Sequence, residues 1–181
     1  MNQEVHNIHY AIIERCRNGE REAFYQLYKL YSKAMFNVGF RITGSEDDAE
    51  DVLQDAFISA FRNLESYRSD APFGAWLKKI VVNKAINFLK KRKMEPLPEN
   101  EDWDVAEEMP SPQYGNGLTV DMIKDAIMQL PDGYRSVLSL YLLEGYDHQE
   151  IAGIMGITES TSKSQLNRGK NKLQEILKTR L

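Results

Sequence analysis

The chain has only one cysteine and three histidines among its 181 residues, and no apolar run is as long as a membrane span. The single cysteine, Cys16, excludes an internal disulfide framework and is typical of a reducing compartment. The N-terminus has no basic stretch followed by an apolar core, so nothing marks it for export. We therefore expect a soluble, cytoplasmic protein that does not insert into a membrane.

Sequence patterns that hold a cofactor or a catalytic metal are also missing. His6, His9 and His148 form no ligand pattern with Cys16, and there is neither a Gly-rich phosphate loop nor a nucleophile triad. The acidic run at 46–51 would suit an all-α, metal-dependent nucleotide pyrophosphatase, in which carboxylates from two helices converge on Mg²⁺. No second acidic set stands on a neighbouring predicted helix. We predict no cofactor and no enzymatic activity.

Charges of opposite sign are segregated along the chain, although the formal net charge is only −4. Every charged residue at 71–94 is basic, and every charged residue at 95–108 is acidic. Bases return at 160–181, where Glu175 is the sole acid. Because phosphate is bound by local charge, two basic faces separated by an acidic strip indicate a nucleic-acid partner.

The acidic strip also divides the chain. Prolines and glycines at 96–117 interrupt any helical period, which is typical of a mobile linker. We predict an all-α fold with a helical domain at 1–94, a flexible acidic linker at 95–120 and a second small helical domain at 121–181.

Apolar residues of the first domain recur at helical spacing. One such series runs from Ala23 to Val38 and is ended by Gly44. Ser45 and Asp48 then have capping-box spacing before a second apolar face from Ala49 to Leu64. These segments are predicted to be amphipathic helices.

A third helix is predicted to follow the loop at 65–72. Phe73 and Trp76 begin its apolar face, so we place both rings in the core, and the helix ends in the basic run at 90–93. Its opposite side is predicted to carry Lys79, Asn83, Ile86, Asn87 and Lys90.

The most informative motif lies near the C-terminus, where G-Y-D-H-Q-E-I-A-G-I-M-G-I-T-E-S-T-S-K-S-Q-L-N-R-G-K predicts a helix-turn-helix. Asp147 and Glu150 have the spacing of a capping box, so a helix should start near Asp147. Gly156 can adopt the positive φ that ends a helix, and Thr158 can cap the next one.

The second helix of this motif has a polar, basic outer side. Its inward residues are predicted to be Ser162, Leu166, Gly169, Leu173 and Leu177. Its outward residues are predicted to be Thr161, Lys163, Ser164, Gln165, Asn167, Arg168 and Lys170. Arg and Lys pair with guanine edges or phosphates, and Asn and Gln match adenine edges, so this helix has the chemistry that reads a major groove.

The order of the segments resembles the extracytoplasmic-function (ECF) sigma factors of bacterial RNA polymerase. The resemblance is carried by E-D-D-A-E-D-V-L-Q-D-A-F, S-Y-R-S-D-A-P-F-G-A-W-L, I-V-V-N-K-A-I-N-F-L-K-K-R-K and L-P-D-G-Y-R-S-V-L-S-L-Y-L-L-E-G-Y, followed by the helix-turn-helix. It covers roughly Ala23 to Lys93 and Met128 to Leu177. It implies that two helical domains, regions two and four, bind core polymerase and the two promoter elements. It also implies an anti-sigma factor as a further partner and a linker that threads through polymerase.

The resemblance assigns roles to individual residues. Contacts with core polymerase are implied for Glu50, Asp51, Gln54 and Asp55. At the −10 element, Tyr67 is implied to stack on an unpaired base and Asn83 to hydrogen-bond a flipped one. Phosphate contacts there are implied for Lys79, Lys84, Lys90, Lys91, Arg92 and Lys93. The outward residues from Thr161 to Lys170 are implied to contact the −35 element.

The sequence departs from the family pattern within the second helix of the motif. The family usually has an apolar residue where Ser162 stands, often Arg where Gln165 stands and Ala where Gly169 stands. The preferred −35 sequence therefore stays open. A free-standing helix-turn-helix regulator is the alternative, and it would explain the second domain but not the acidic and basic helices of the first.

Overall fold

A computed structural model describes residues 2–92 and 119–179, with side chains from residue 9 onward. All regular elements within these two stretches are helical, which confirms the predicted all-α fold. The chain forms two compact units, Met1–Phe88 and Leu89–Leu181. Each unit has its own buried apolar core.

The first unit consists of α1 (Asn2–Arg17), α2 (Arg21–Thr43), α3 (Glu46–Arg62), a 3₁₀ turn (Leu64–Ser66) and α4 (Phe73–Lys91), whose last residues cross the unit boundary. Helix α1, which packs on α2, was not predicted from the sequence.

Local chemistry sets the junction between α2 and α3. Gly44 ends α2 with a φ of 74°, as predicted, and its N–H donates to the Phe40 carbonyl. The Ser45 Oγ accepts from the Asp48 N–H at 3.4 Å, which is one half of the predicted capping box. The acidic first turn of α3 lies where a helix dipole favours negative charge.

The core of the first unit is aliphatic around α4 and aromatic at its start. Leu77, Val81, Val82, Ala85 and Ile86 are completely buried. Ile86 was predicted to lie on the outer side of this helix, and that prediction is wrong because α4 is buried on more than one side. Phe73 is buried, as predicted, and packs against Trp76, which is only partly buried.

The second unit contains α5 (Val120–Met128), α6 (Asp132–Leu138), a π turn (Ser139–Leu143), α7 (His148–Met155) and α8 (Glu159–Lys178). Thr119 caps α5 by accepting from the Met122 N–H at 3.2 Å, so this helix begins within the last residues of the predicted linker. The rest of that linker, residues 95–118, lies outside the described residues, and its boundaries stay a prediction.

Helix length and hydropathy bear on the expectation that the protein does not insert into a membrane. In the two described stretches, no helix combines the length and the apolar character needed to span a bilayer.

Candidate nucleic-acid interface

Helices α7 and α8 form the predicted helix-turn-helix. The Asp147 Oδ1 accepts from the Glu150 N–H at 2.8 Å, and Glu150 accepts from the Asp147 N–H at 3.0 Å, which completes the capping box. Gly156 turns the chain with a φ of 71°. The Thr158 Oγ1 then accepts from the Thr161 N–H at 3.0 Å and fixes the first turn of α8. The predicted start, turn and restart are all present.

The inner side of α8 also follows the prediction. Ser162, Leu166, Gly169 and Leu177 are buried, and Leu173 is partly buried. At Gly169 the helix comes so close to α6 that an added Cβ would lie 3.3 Å from the Tyr134 Cβ. The glycine therefore permits a short distance between these two helices.

Most of the predicted base and phosphate contacts of α8 are accessible. Lys163, Asn167 and Lys170 are exposed, and Thr161, Gln165 and Arg168 are partly exposed. Lys163 forms an ion pair with Glu159 at 2.7 Å on the same face. These side chains occupy the sides of the helix that the buried Ser162, Leu166 and Gly169 leave accessible, so they are available for readout of a groove.

Ser164 differs from the other predicted outward residues in being buried. Its side chain is buried, with 8% of the residue surface exposed, and its Oγ donates to the Thr161 carbonyl at 2.8 Å. A serine that returns its hydroxyl to the preceding turn has satisfied that donor within its own helix. We therefore withdraw Ser164 as a predicted base contact.

The side-chain oxygen of Gln165 has no hydrogen-bond donor among the described residues. Its Oε1 is buried and accepts no hydrogen bond from the residues that the structure describes.

The basic side of α4 is the second predicted contact surface. Lys79, Asn83, Lys90, Lys91 and Arg92 are exposed, and Lys84 is partly exposed. Lys93 lies outside the described residues. Because Asn83 is exposed among lysines of the same helix, its amide is accessible beside a surface that attracts phosphate.

Tyr67 is a core residue, contrary to the predicted stacking role. Only 4% of it is exposed, and its ring packs edge-on against Phe73 at a centroid distance of 5.4 Å. Its Oη donates to the Ala71 carbonyl at 2.7 Å, and its own carbonyl accepts from Arg17 at 2.6 Å. We withdraw Tyr67 as a base contact, since its ring faces are covered by the protein.

Arg17 anchors this loop, a contact that was not predicted from the sequence. Arg17 lies at the end of α1, 50 positions before Tyr67, so no local pattern could have paired them. The loop also holds Ser69 at a φ of 62°, a backbone conformation that is uncommon outside glycine. The loop before α4 is therefore attached to α1 within the first unit.

The acidic side of α3 is the third predicted contact surface. Glu50, Asp51, Gln54 and Asp55 are all exposed on this helix. Glu50 and Gln54 also border a groove of about 350 Å³ between α2 and α3, whose walls include Tyr28 and Phe36. The sequence analysis did not single out these aromatic residues. Apolar walls beside carboxylates suit a partner that combines apolar and basic side chains.

The alternative of a nucleotide pyrophosphatase requires carboxylates that converge on a metal ion. Across residues 2–92 and 119–179, no group of three or more His, Cys, Asp or Glu side chains is placed to hold a metal ion. The carboxylates on the acidic side of α3 are therefore not arranged as a set of metal ligands.

Comparison with known proteins identifies both units. Residues 27–95 match the family model for sigma-70 region 2, and residues 121–173 match the model for sigma-70 region 4. The chain belongs to the ECF sigma factors of RNA polymerase. Among similar proteins, the ECF sigma factor SigM of Mycobacterium tuberculosis is 31% identical over 160 residues, which cover 88% of this chain and 79% of the relative.

Two further relatives of this sigma factor cover nearly their own full length. The ECF sigma-E factor of Haemophilus influenzae is 30% identical over 92% of this chain and 96% of its own. The structure of the sigma factor RpoE of Bartonella quintana, solved with the anti-sigma factor NepR, has 28% identity and a TM-score of 0.56. That match covers 86% of this chain and 96% of RpoE.

The matched regions place the elements of this sigma factor. Region two contains α3 and α4 with most of α2, and region four contains most of α5 and extends into α8. A sigma factor directs the initiation of transcription, and neither the free-standing regulator nor the pyrophosphatase is favoured by these matches. The helix-turn-helix thus belongs to a chain with a second functional unit.

Proposed function

We propose that this sigma factor joins core RNA polymerase through the acidic side of α3 and selects promoters through α4 and α8. The arrangement of charge carries the proposal: one unit exposes acidic residues on α3 and basic residues on α4, and the other exposes a polar, basic recognition helix. Opposite charges on neighbouring helices suit two partners of opposite charge. A DNA-binding regulator that never joins polymerase would have no use for the acidic side.

Region four is proposed to read the −35 element as duplex. Thr161, Lys163, Gln165, Asn167, Arg168 and Lys170 are the contacts proposed for α8. Region two is proposed to hold the displaced −10 strand. Asn83 would meet a base there, while Lys79, Lys84, Lys90, Lys91, Arg92 and Lys93 would follow phosphates.

Contact with polymerase is proposed for Glu50, Asp51, Gln54 and Asp55. The groove beside Glu50 and Gln54 supports this choice, because it adds apolar surface to exposed carboxylates. Charge steers the encounter of two surfaces, and apolar contact at the centre of the interface slows their separation.

The test is assembly and transcription. The purified chain, mixed with bacterial core RNA polymerase, should co-elute in gel filtration and support transcription from a subset of promoters. The double variant Asp51→Lys, Asp55→Lys should lose co-elution, and the control Glu22→Lys, at an exposed acid on α2, should keep it. Failure of the unmodified chain to bind core polymerase would overturn the proposed function.

An anti-sigma factor is proposed as a further partner. The support is that the related RpoE of Bartonella quintana was solved with the anti-sigma factor NepR. Such a partner would compete with core polymerase for this chain. A protein that copurifies with the chain from its own cells and blocks co-elution with polymerase would be that factor.

We also infer a cytoplasmic site of action and no catalytic activity of the chain itself. Both inferences follow from the sigma-factor family, since the polymerase supplies the chemistry and acts on chromosomal DNA.

A further inference from the structure

A single imidazole links three elements of the second unit. His148 is the first residue of α7, and its Nδ1 lies 2.9 Å from the Ser162 Oγ on α8. The same ring stacks on Tyr141 of the π turn, with centroids 4.5 Å apart and an interplanar angle of 19°. Motion of α8 relative to α7 would therefore disturb a directional contact as well as apolar packing.

The position of Ser162 gives this contact its importance. Ser162 is completely buried, so its hydroxyl is shielded from water. A buried hydroxyl that loses its partner carries a desolvation cost, which makes the bond to His148 selective for one placement of the helix. The flanking residues, Thr161 and Lys163, point to the outer side of α8 and are proposed to contact DNA.

Readout of bases depends on the placement of a helix more strongly than phosphate contact does. A hydrogen bond to a base edge weakens steeply when its angle is poor, whereas the attraction of a lysine to phosphate changes slowly with position. A contact that fixes the first turns of α8 should therefore act on the choice of bases.

We propose that Ser162 and His148 are positioning residues for promoter selection: their buried hydrogen bond, with the ring of His148 braced on Tyr141, sets the angle at which α8 presents its outer side to the −35 element. The inference rests on the proposed function and adds a specificity-determining pair that touches no DNA.

The test uses the holoenzyme, assembled from the full chain and bacterial core RNA polymerase, and a promoter library with a randomised −35 element and a separately randomised −10 element. Sequencing of the bound templates gives the preference for each base as a ratio. Ser162→Ala and His148→Phe should each reduce the −35 preference by about 3- to 10-fold, the size expected for one buried hydrogen bond. Both variants should keep the −10 preference of the unmodified chain.

Three further variants separate positioning from mere stability. His148→Asn keeps a polar atom near the place of Nδ1 but loses the ring, so it should retain more −35 preference than His148→Phe, which keeps the ring and loses the bond. The double variant Ser162→Ala, His148→Phe should lose no more preference than either single one, because both remove the same contact. Ser160→Ala, at an exposed position of the same helix, should match the unmodified chain.

The outcomes distinguish this inference from the function on which it rests. An unmodified holoenzyme without any −35 preference would overturn both. A clear preference in the unmodified holoenzyme that Ser162→Ala and His148→Phe leave unchanged would overturn the positioning role alone. Additive losses in the double variant, or equal losses with Asn and Phe at position 148, would also overturn it.

Discussion

The two helices proposed to face DNA, α4 and α8, differ in the side chains that they bury. Helix α4 is held by side chains such as Val81, Val82 and Ile86, which are completely buried and apolar. Helix α8 instead buries Ser162 one turn before Leu166, and it approaches α6 at Gly169. Apolar packing is strong and non-directional, while a buried hydrogen bond is weaker but specific in angle. The contrast suits α4, whose proposed contacts are mostly with phosphates, and α8, which is proposed to read base edges.

The largest expected effect tests the apolar interior of α4. Ile86→Ala should lower the free energy of unfolding of the first unit by about 2–5 kcal/mol, because it removes buried methylene groups and leaves a cavity. Urea unfolding followed by the fluorescence of Trp76, in a Trp103→Phe background, measures this change. Ile58→Ala on α3, where half of the side chain is exposed, is the matched control and should cost much less. Equal losses at the two positions would mean that α4 is not the centre of the core.

The next effect compares the outer sides of the two helices. Arg168→Ala should cost about 1–3 kcal/mol at its preferred base and change which −35 bases are selected. Lys91→Ala should weaken binding evenly across promoter sequences and lower the salt slope by about 1, since it removes one phosphate contact. Promoter binding by the holoenzyme over a series of salt concentrations measures both. An unchanged base preference in Arg168→Ala would show that α8 meets DNA with a different side.

Signals that act over a few residues were predictable from the sequence. Gly44, Gly156, Thr158 and the capping box of Asp147 with Glu150 each need only neighbours within one helical turn, and all are present. The inward side of α8 followed from helical spacing for the same reason. The start, the turn and the inward side of the helix-turn-helix were therefore predictable from the sequence, while the contact surfaces stay a prediction.

Contacts between distant residues were not predictable in this way. The Tyr67 carbonyl accepts from Arg17, which lies 50 positions earlier on a helix that was not predicted, and the Tyr67 ring packs against Phe73 and Trp76. Ile86 is buried because α4 is covered on more than one side, which a pattern with a single apolar face does not represent. One local contact was missed as well: Ser164 was predicted to face outward from helical spacing, but its hydroxyl donates to the Thr161 carbonyl three residues earlier.

A smaller effect tests the close approach at Gly169. Gly153→Ala on α7 should raise the stability of the second unit by about 0.5–1 kcal/mol, because alanine favours helix and its Cβ would enter open space. Gly169→Ala should gain less or lose stability, since its Cβ would lie 3.3 Å from the Tyr134 Cβ. Thermal unfolding followed by circular dichroism ranks the two variants. A larger gain in stability from Gly169→Ala than from Gly153→Ala would show that a Cβ fits between α6 and α8 without strain.

The smallest expected effect is a dependence of the stability of the second unit on pH. It arises from His148 of α7, whose ring contacts the buried Ser162 of α8. Burial lowers the pKa of this imidazole, and so do Lys163 and, more weakly, Lys170, while Glu159 and Asp147 act in the opposite direction. The stacked Tyr141 covers one ring face. Because the folded pKa lies below the unfolded value, the unfolded chain binds more protons as the pH falls through this window. The second unit should therefore be less stable at about pH 5.5 than at about pH 7.5, and solvent screening of a partly exposed ring should keep the difference small.

The variant His148→Phe removes this titration and leaves the remaining ionisable groups in place. Thermal unfolding of both proteins at the two pH values gives the difference that belongs to His148, because the other groups contribute to both proteins alike. The loss of stability on acidification should be smaller in the variant. An equal loss would mean that the imidazole accepts a proton as readily in the folded unit as in the unfolded chain, and a larger loss would mean that it does so more readily in the folded unit. Water would then reach the contact between His148 and Ser162, whereas the apolar side chains of α4 are completely buried.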